Sequence, residues 1–167
     1  MAKKDIVPVH ILQDTREPEN YTFAGLHNIS NITRIKLEFA DYSTEALKNL
    51  VVVERKTKAD LFGTLGSGRK RFLAELDRAQ VAGVKFFYIV IEAPCDHVYQ
   101  GNFIYTKGGS FMTKPFGQNI IAQLISFIEK HPLRIIPIFA SDAATSKKFI
   151  RDVLLKSEQY LREGTLK

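Results

Sequence analysis

The sequence predicts an α/β fold, with helices flanking a central mixed sheet. Three observations predict it. Short apolar, β-branched runs alternate with segments of helical period, the order expected of strands and helices packed in layers. Breakers such as Gly66-Ser67-Gly68 and Gly83 punctuate the alternation where helices should stop. The third is composition: 45% hydrophobic and 11% aromatic residues against 10 Gly and 6 Pro in 167 residues support a packed core and exclude a low-complexity or collagenous chain. One domain spanning residues 1–167 is expected at this length.

Each element follows from its local pattern. His10 to Gln13 reads as a short strand after Pro8, Thr33 to Leu37 and Tyr42 to Thr44 as weaker strands, and Val51 to Lys56, with three consecutive valines, as the strongest strand of the first half. Lys58 to Leu65 reads as a helix. A second helix runs from Arg69 to Ala82, with Phe72, Leu76 and Ala79 on one stripe. Lys85 to Glu92 is a buried strand. Residues 93–114 read as a loop-rich excursion, Phe116 to Lys130 as a helix, Arg134 to Phe139 as a strand, and Asp142 to Arg162 as the last helix.

Several classes are excluded. No apolar run approaches the ~20 residues of a membrane span. The start, Met1-Ala2-Lys3-Lys4-Asp5, lacks a secretory pattern, and the single cysteine, Cys95, excludes an internal disulfide and a cysteine-based zinc site. An intracellular setting is expected, cytoplasmic in a bacterium or phage and nuclear in a eukaryote.

With 24 Lys and Arg against 18 Asp and Glu, the chain carries a formal charge of +6, a balance that suits a polyanionic partner. Scattered cations are also normal on soluble domains, so distribution carries more than the total. Arg55, Lys56 and Lys58 cluster, as do Arg69, Lys70 and Arg71, and Asp14, Glu17, Asp41, Glu54 and Asp60 fall in the same half of the chain. Cations for phosphates, interrupted by carboxylates able to hold a hard divalent ion, fit a metal-dependent nuclease.

The chemistry concentrates at Val51-Val52-Val53-Glu54-Arg55-Lys56. Alternation along a strand puts Val52, Glu54 and Lys56 on one face and Val51, Val53 and Arg55 on the other. A carboxylate and an ammonium therefore point the same way beside a core. A Glu-x-Lys triplet alone equally describes a same-face salt bridge at a strand end. Its companions add to it: Asp14-Thr15-Arg16-Glu17 follows the first strand, Asp41-Tyr42 can reach the side of Glu54 through a short strand and a turn, and Asp60 follows one helical turn after Lys56.

Asp14-x-Arg16-Glu17, Asp41-Tyr42, Glu54-Arg55-Lys56-x-x-x-Asp60-Leu61, Gly68-Arg69 and the apolar strand Phe86 to Glu92, in this order, resemble the XPF-type structure-specific endonucleases. The resemblance implies a restriction-endonuclease-like α/β fold and a Mg²⁺- or Mn²⁺-dependent endodeoxyribonuclease acting on branched, flapped or otherwise structured DNA in repair, recombination or replication. It makes Asp41 and Glu54 the metal ligands, with Asp14 a supporting carboxylate counted among them, and Lys56 the catalytic cation. Arg16 and Arg55 match arginines needed for activity, and Asp60 an acidic residue that orients its neighbours. Lys58, Arg69, Lys70 and Arg71 are expected to bind DNA. An inactive, DNA-binding relative of the same fold, or a nicking or site-specific enzyme, is the alternative.

Two departures from the family pattern stand out: Ala40 occupies the place of a usual Gly before Asp41, and Leu73 the place of a frequent Gln four residues after the Gly-Arg pair. Relatives often carry a helicase domain or paired helix-hairpin-helix modules, neither of which has room here. A homodimer through residues 116–130 and 142–162 is expected instead, because Ile120, Ile121, Leu124, Ile125, Phe127 and Ile128 surround more of a helix than one stripe. In residues 93–114, Tyr99, Phe103, Tyr105 and Phe111 with Lys107 and Lys114 suit stacking on unpaired bases, or equally a covering loop. His97 has no partner at metal-ligand spacing, and Cys95 reads as a buried or bordering residue.

Overall fold

The computed structural model describes residues 6–101, 104–107, 110–113 and 117–166. In chain order its elements are β1 (Val9–Asp14), β2 (Ile29–Ile35), β3 (Tyr42–Ser43), β4 (Val51–Thr57), α1 (Lys58–Leu65), α2 (Arg69–Val81), β5 (Phe86–Glu92), α3 (Cys95–Tyr99), β6 (Ile104–Lys107), β7 (Ser110–Thr113), α4 (Gly117–Lys130), β8 (Arg134–Ala140) and α5 (Ala143–Arg162). Six strands form one mixed sheet in the order β2-β1-β3-β4-β5-β8, and β6 pairs with β7 as a separate hairpin. The pairs β1/β2, β4/β5 and β5/β8 are parallel, whereas β3 runs antiparallel to both its neighbours.

Two hydrophobic clusters sandwich this sheet. On one face Val52, Phe87 and Ile89 pack with Leu61 and Phe62 of α1, Leu76 of α2 and Leu124 of α4. On the other, Val51, Val53 and Val90 pack with Tyr42 and with Ile150 and Leu154 of α5. The division of the β4 valines between the two clusters is the alternation expected of a strand covered on both faces. Charge enters in the second half of the strand: Glu54, paired with Ile89 of β5, is buried in mid-strand, and Arg55 and Lys56 follow within the parallel ladder.

Local signals account for the helix limits. Thr57 caps α1: its hydroxyl accepts the Asp60 N–H at 3.2 Å and donates to the Asp60 carboxylate at 2.6 Å, a reciprocal cap. Gly83, at φ +96°, follows α2 and supplies the left-handed residue that ends it. Asp142 caps α5 by accepting the Thr145 N–H at 2.7 Å. β8 is the sheet's edge and contains Pro137, a residue tolerated in sheets where its missing N–H is not needed by a neighbour.

Three expectations are corrected. β2 starts at Ile29 and ends at Ile35, not Thr33 to Leu37, because its limits are set by parallel pairing with β1, Val9 to Asp14 against Ile29 to Ile35, rather than by its own propensity. Residues 93–114 hold α3 and the β6–β7 hairpin, and Cys95 is exposed. The side chains of Phe103, Tyr105, Lys107, Phe111 and Lys114, like Phe116, lie outside the described residues.

Candidate active site

The site forms where β3 and β4 meet the loop before them. Asp41 is fixed there by its backbone: its N–H donates to the Val53 carbonyl at 3.0 Å and its carbonyl accepts the Asp14 N–H at 2.8 Å. Its side chain is fixed too, with Oδ2 accepting the Arg55 N–H at 2.8 Å. The preceding Ala40 is buried and sits at φ +54°, the left-handed region where glycine is at ease and a Cβ costs about 1–2 kcal/mol. The conformation that a Gly would supply is thus kept although Ala stands there. The Ala40 N–H donates to Glu75 Oε1 of α2 at 3.3 Å, which helps hold the turn.

Glu54 lies beside Asp41, and Lys56, two residues along the same face of β4, donates to Glu54 Oε1. Burial, then the neighbouring charges of Glu54 and Glu17, pushes the Asp41 carboxyl well above its ordinary range. Burial also raises Glu54, against the lowering effect of Lys56 and with Glu75 adding to the rise. Lys56 is raised: the charges of Glu54, Asp41 and Glu75 outweigh the opposing effect of its burial, so the ammonium stays protonated. Two carboxylates that repel each other in a buried corner are a place where a cation is welcome.

These groups open into a cleft of about 410 Å³ lined by Arg16, Glu17, Glu38, Asp41, Glu54, Lys56, Arg71, Glu75 and Arg78. Arg71, Glu75 and Arg78 recur at helical spacing along one face of α2, which carries cations to either side of a carboxylate. Among the described residues no three His, Cys, Asp or Glu side chains form a metal cage. Asp41 and Glu54 are carboxylates of the cleft that could hold a hard divalent ion, of a kind that retains waters and takes phosphate oxygens as further ligands.

The remaining expected residues fall outside that pair. Asp14 is fully buried behind the cleft, where Oδ1 accepts the backbone N–H and the Nε of Arg16, both at 2.7 Å, and Oδ2 accepts the Leu37 N–H at 2.7 Å. Burial alone would raise this carboxyl; the bonds from Arg16 and Leu37 outweigh it and hold it below its ordinary value. In this arrangement Asp14 braces Arg16 and the chain turn and does not line the cleft. Arg16 is held by its Nε on Asp14 and by Nη2, which donates to the Ala40 carbonyl at 3.4 Å, and its side chain is largely exposed at the cleft.

Arg55 points away from Glu54 and Lys56. Its Nε and Nη2 donate to the two oxygens of Glu17 at 2.6 and 3.2 Å, and its Nη1 donates to Glu92 Oε2 at 3.0 Å. The guanidinium also lies 4.4 Å from the Tyr21 ring centre. The Arg55 guanidinium thus serves the Glu17 and Glu92 carboxylates on the face of β4 away from Glu54 and Lys56. Asp60 is an exposed partner in the α1 cap, so it orders the helix start rather than the cleft. Lys58 opens α1 and passes over Gly101, Arg69 lies 5.1 Å from the Phe127 ring centre, Lys70 is exposed, and Arg71 reaches the cleft. Sequence reasoning missed Glu75, Arg78 and Glu38. Counting four and seven residues from Arg71, rather than four from Arg69 to Leu73, would have found the first two.

The model of the ERCC4 domain family matches residues 13–152, a span that contains the whole cleft. The chain belongs to the ERCC4 domain family. The resemblance to XPF-type nucleases read from its motifs is thereby shown. No curated protein matches this ERCC4 domain by sequence. Among solved structures it is similar to XPF from Aeropyrum pernix, at 17% identity and a TM-score of 0.62 over 93% of this chain and 68% of that one. It is also similar to XPF from Aeropyrum pernix in complex with DNA, at 16% identity and a TM-score of 0.61 over 90% of this chain and 66% of that one. At these identities the likeness shows the fold, the restriction-endonuclease-like α/β arrangement. No helix of the ERCC4 domain is long and apolar enough, among the described residues, to cross a membrane.

Proposed function

We propose that this ERCC4 domain is a divalent-metal-dependent endonuclease that hydrolyses phosphodiester bonds in branched, flapped or otherwise structured DNA, in repair, recombination or replication. The observation that carries the reading is the Asp41–Glu54 carboxylate pair, with the Lys56 ammonium bonded to it, in an open cleft rimmed by arginines. Family membership and the likeness to a DNA-bound XPF support it. Residues 1–167 act as one nuclease unit in this reading.

Asp41 and Glu54 would hold Mg²⁺ or Mn²⁺. Such an ion, when bound, supplies Lewis acidity toward a phosphate oxygen and a more acidic water. Lys56, charged and pinned to Glu54, stabilises the negative charge that develops on the phosphorus oxygens. Arg16 has its Nε committed to Asp14 and its Nη2 on the Ala40 carbonyl, and so presents its remaining N–H groups to a DNA phosphate from a fixed base. Arg71 and Arg78 approach from α2 and draw the backbone across the cleft. The test is cleavage of labelled hairpin, flap, fork and four-way-junction DNAs with Mg²⁺, with Mn²⁺ and with EDTA. Cleavage of the branched members with metal only, abolished by Lys56→Met while DNA binding persists, is the expected result; DNA binding without cleavage by the wild type overturns it in favour of an inactive binding module.

We also propose a homodimer through residues 116–130 and 142–162. Ile120, Leu124 and Phe127 of α4 face the core, leaving Ile125 at 52% and Ile128 at 39% exposure, and Tyr160 of α5 is exposed as well. Light scattering should give about twice the 19.0 kDa chain mass. Ile125→Glu with Ile128→Glu should return it to one chain, whereas Leu124 is a core residue unsuited to the test. A wild type of one chain at micromolar concentration overturns the dimer.

A further inference from the structure

We infer that Arg55 is a positioning residue, whose guanidinium anchors the end of β4 from behind while its backbone N–H and its neighbours Glu54 and Lys56 build the cleft in front. The inference rests on the reading of Asp41 and Glu54 as the cation-holding pair.

Strand alternation sends the Arg55 side chain to the face opposite Glu54 and Lys56. There it is only 10% exposed, and each of its three nitrogens is bonded: two to Glu17 in the turn after β1, one to Glu92 at the end of β5. Tyr42 of β3 donates its hydroxyl to the same Glu17 oxygen that takes Arg55 Nε. One guanidinium therefore ties together the chain around β1, β3, β4 and β5. Opposite this anchor, the Arg55 N–H holds Asp41 Oδ2 at 2.8 Å. A shift of residue 55 moves the Asp41 bond and the flanking Glu54 and Lys56 together. Each nitrogen of the side chain already serves a carboxylate, and the flanking Glu17 and Glu92 carboxylates would repel a phosphate.

Lysine keeps the charge but has no planar fork to span Glu17 and Glu92. The experiment compares wild type, Arg55→Lys, Glu17→Gln and the double variant by three readouts: Mn²⁺ affinity without DNA by calorimetry, DNA affinity and its salt slope in EDTA, and kcat and KM with Mn²⁺. Both single variants should weaken Mn²⁺ binding by about 10–100-fold and lower kcat; Arg55→Lys should leave KM and metal-free DNA binding unchanged, and Glu17→Gln, which removes a negative charge from the cleft lining, should not weaken DNA binding. The double variant should lose less than the product of the two single losses, since both break one contact. If circular dichroism shows Arg55→Lys unfolded, Glu92→Gln, which keeps the shape of the side chain, replaces it as a single variant in the three readouts. The inference is overturned if the folded variants bind Mn²⁺ like wild type while their DNA affinity and salt slope fall. A wild type that binds no Mn²⁺ sinks the cation-pair reading, an outcome distinct from intact wild-type binding that the variants leave unaltered.

Discussion

Asp41 Oδ2 accepts the backbone N–H of Arg55 at 2.8 Å, so the loop entering β3 and the last residues of β4 are joined at an atom of the proposed cation-holding pair. The bond is made by main chain on one side. Substitution at position 55 can displace it but cannot delete it, whereas substitution at position 41 tests the carboxylate itself.

Asp41→Asn should separate activity from stability. Burial, then Glu54 and Glu17, makes the Asp41 charge unfavourable in the metal-free fold, and an amide keeps an oxygen for the Arg55 N–H. Cleavage should fall by orders of magnitude, while the melting temperature in EDTA rises by a few degrees, about 1 kcal/mol being worth roughly 2–4 °C in a chain of this size. Calorimetric melting in EDTA checks it; a lower melting temperature than wild type would count against the repulsive pair.

Arg71→Ala with Arg78→Ala should weaken binding to every DNA structure alike. Both reach the cleft from one face of α2, and each neutralised phosphate contributes about 0.9 to the slope of log K against log salt, so the slope should fall by nearly two. Lys70→Ala, an exposed change outside the cleft lining, should shift it less. Fluorescence anisotropy in EDTA at several salt concentrations measures both.

The α5 cap should show a pH signature. The Thr145 N–H, then the Ser141 and Thr145 hydroxyls, hold the Asp142 carboxyl below its ordinary 3.8. A folded value below the unfolded one means that its contribution is complete above about 3.8 and is lost as pH falls through the lower, folded value. Asp142→Ala should therefore lower the melting temperature at neutral pH, and the gap between variant and wild type should shrink in strong acid. A gap independent of pH would remove the charge from the account.

Gly117→Ala tests the junction of α3 and α4. A Cβ at Gly117 would stand 1.8 Å from the Val98 carbonyl oxygen and 2.6 Å from that of Tyr99, both main-chain atoms. The helices have to separate, at a cost of about 1–3 kcal/mol or more, although alanine is the better helix former. Urea unfolding should show the loss; an unchanged midpoint would mean that α4 does not approach α3 this closely.

The sequence and the fold agree most where local pattern and tertiary demand coincide. The three valines before Glu54 announce β4, and their alternation already puts Glu54 with Lys56 and apart from Arg55. The ends of α1 and α2 follow from Gly66 and Gly83. Position in space is another matter. Asp14 reads as a carboxylate near the site, but its commitment to the Leu37 N–H is a contact between β1 and a loop after β2 that no spacing announces. Likewise Arg55 reads as a phosphate-binding cation until Glu17 and Glu92 are seen around it, since both arrive through pairings distant in the chain. Which of the three cations opening α2 turns to the cleft depends on the rotation of that helix against the sheet, set by burial of Phe72, Leu76 and Ala79.

Pro137 has a consequence for how the sheet ends. β8 is an outer strand, and an outer strand with a full row of free N–H groups invites another chain to extend the ladder. Proline has no N–H to contribute in mid-strand, so copies crowded together at high concentration meet a less regular template for strand addition at β8 than at β2, the opposite edge. Growth of the β layer from molecule to molecule is disfavoured at this side, where an arriving strand meets a gap in the row of donors.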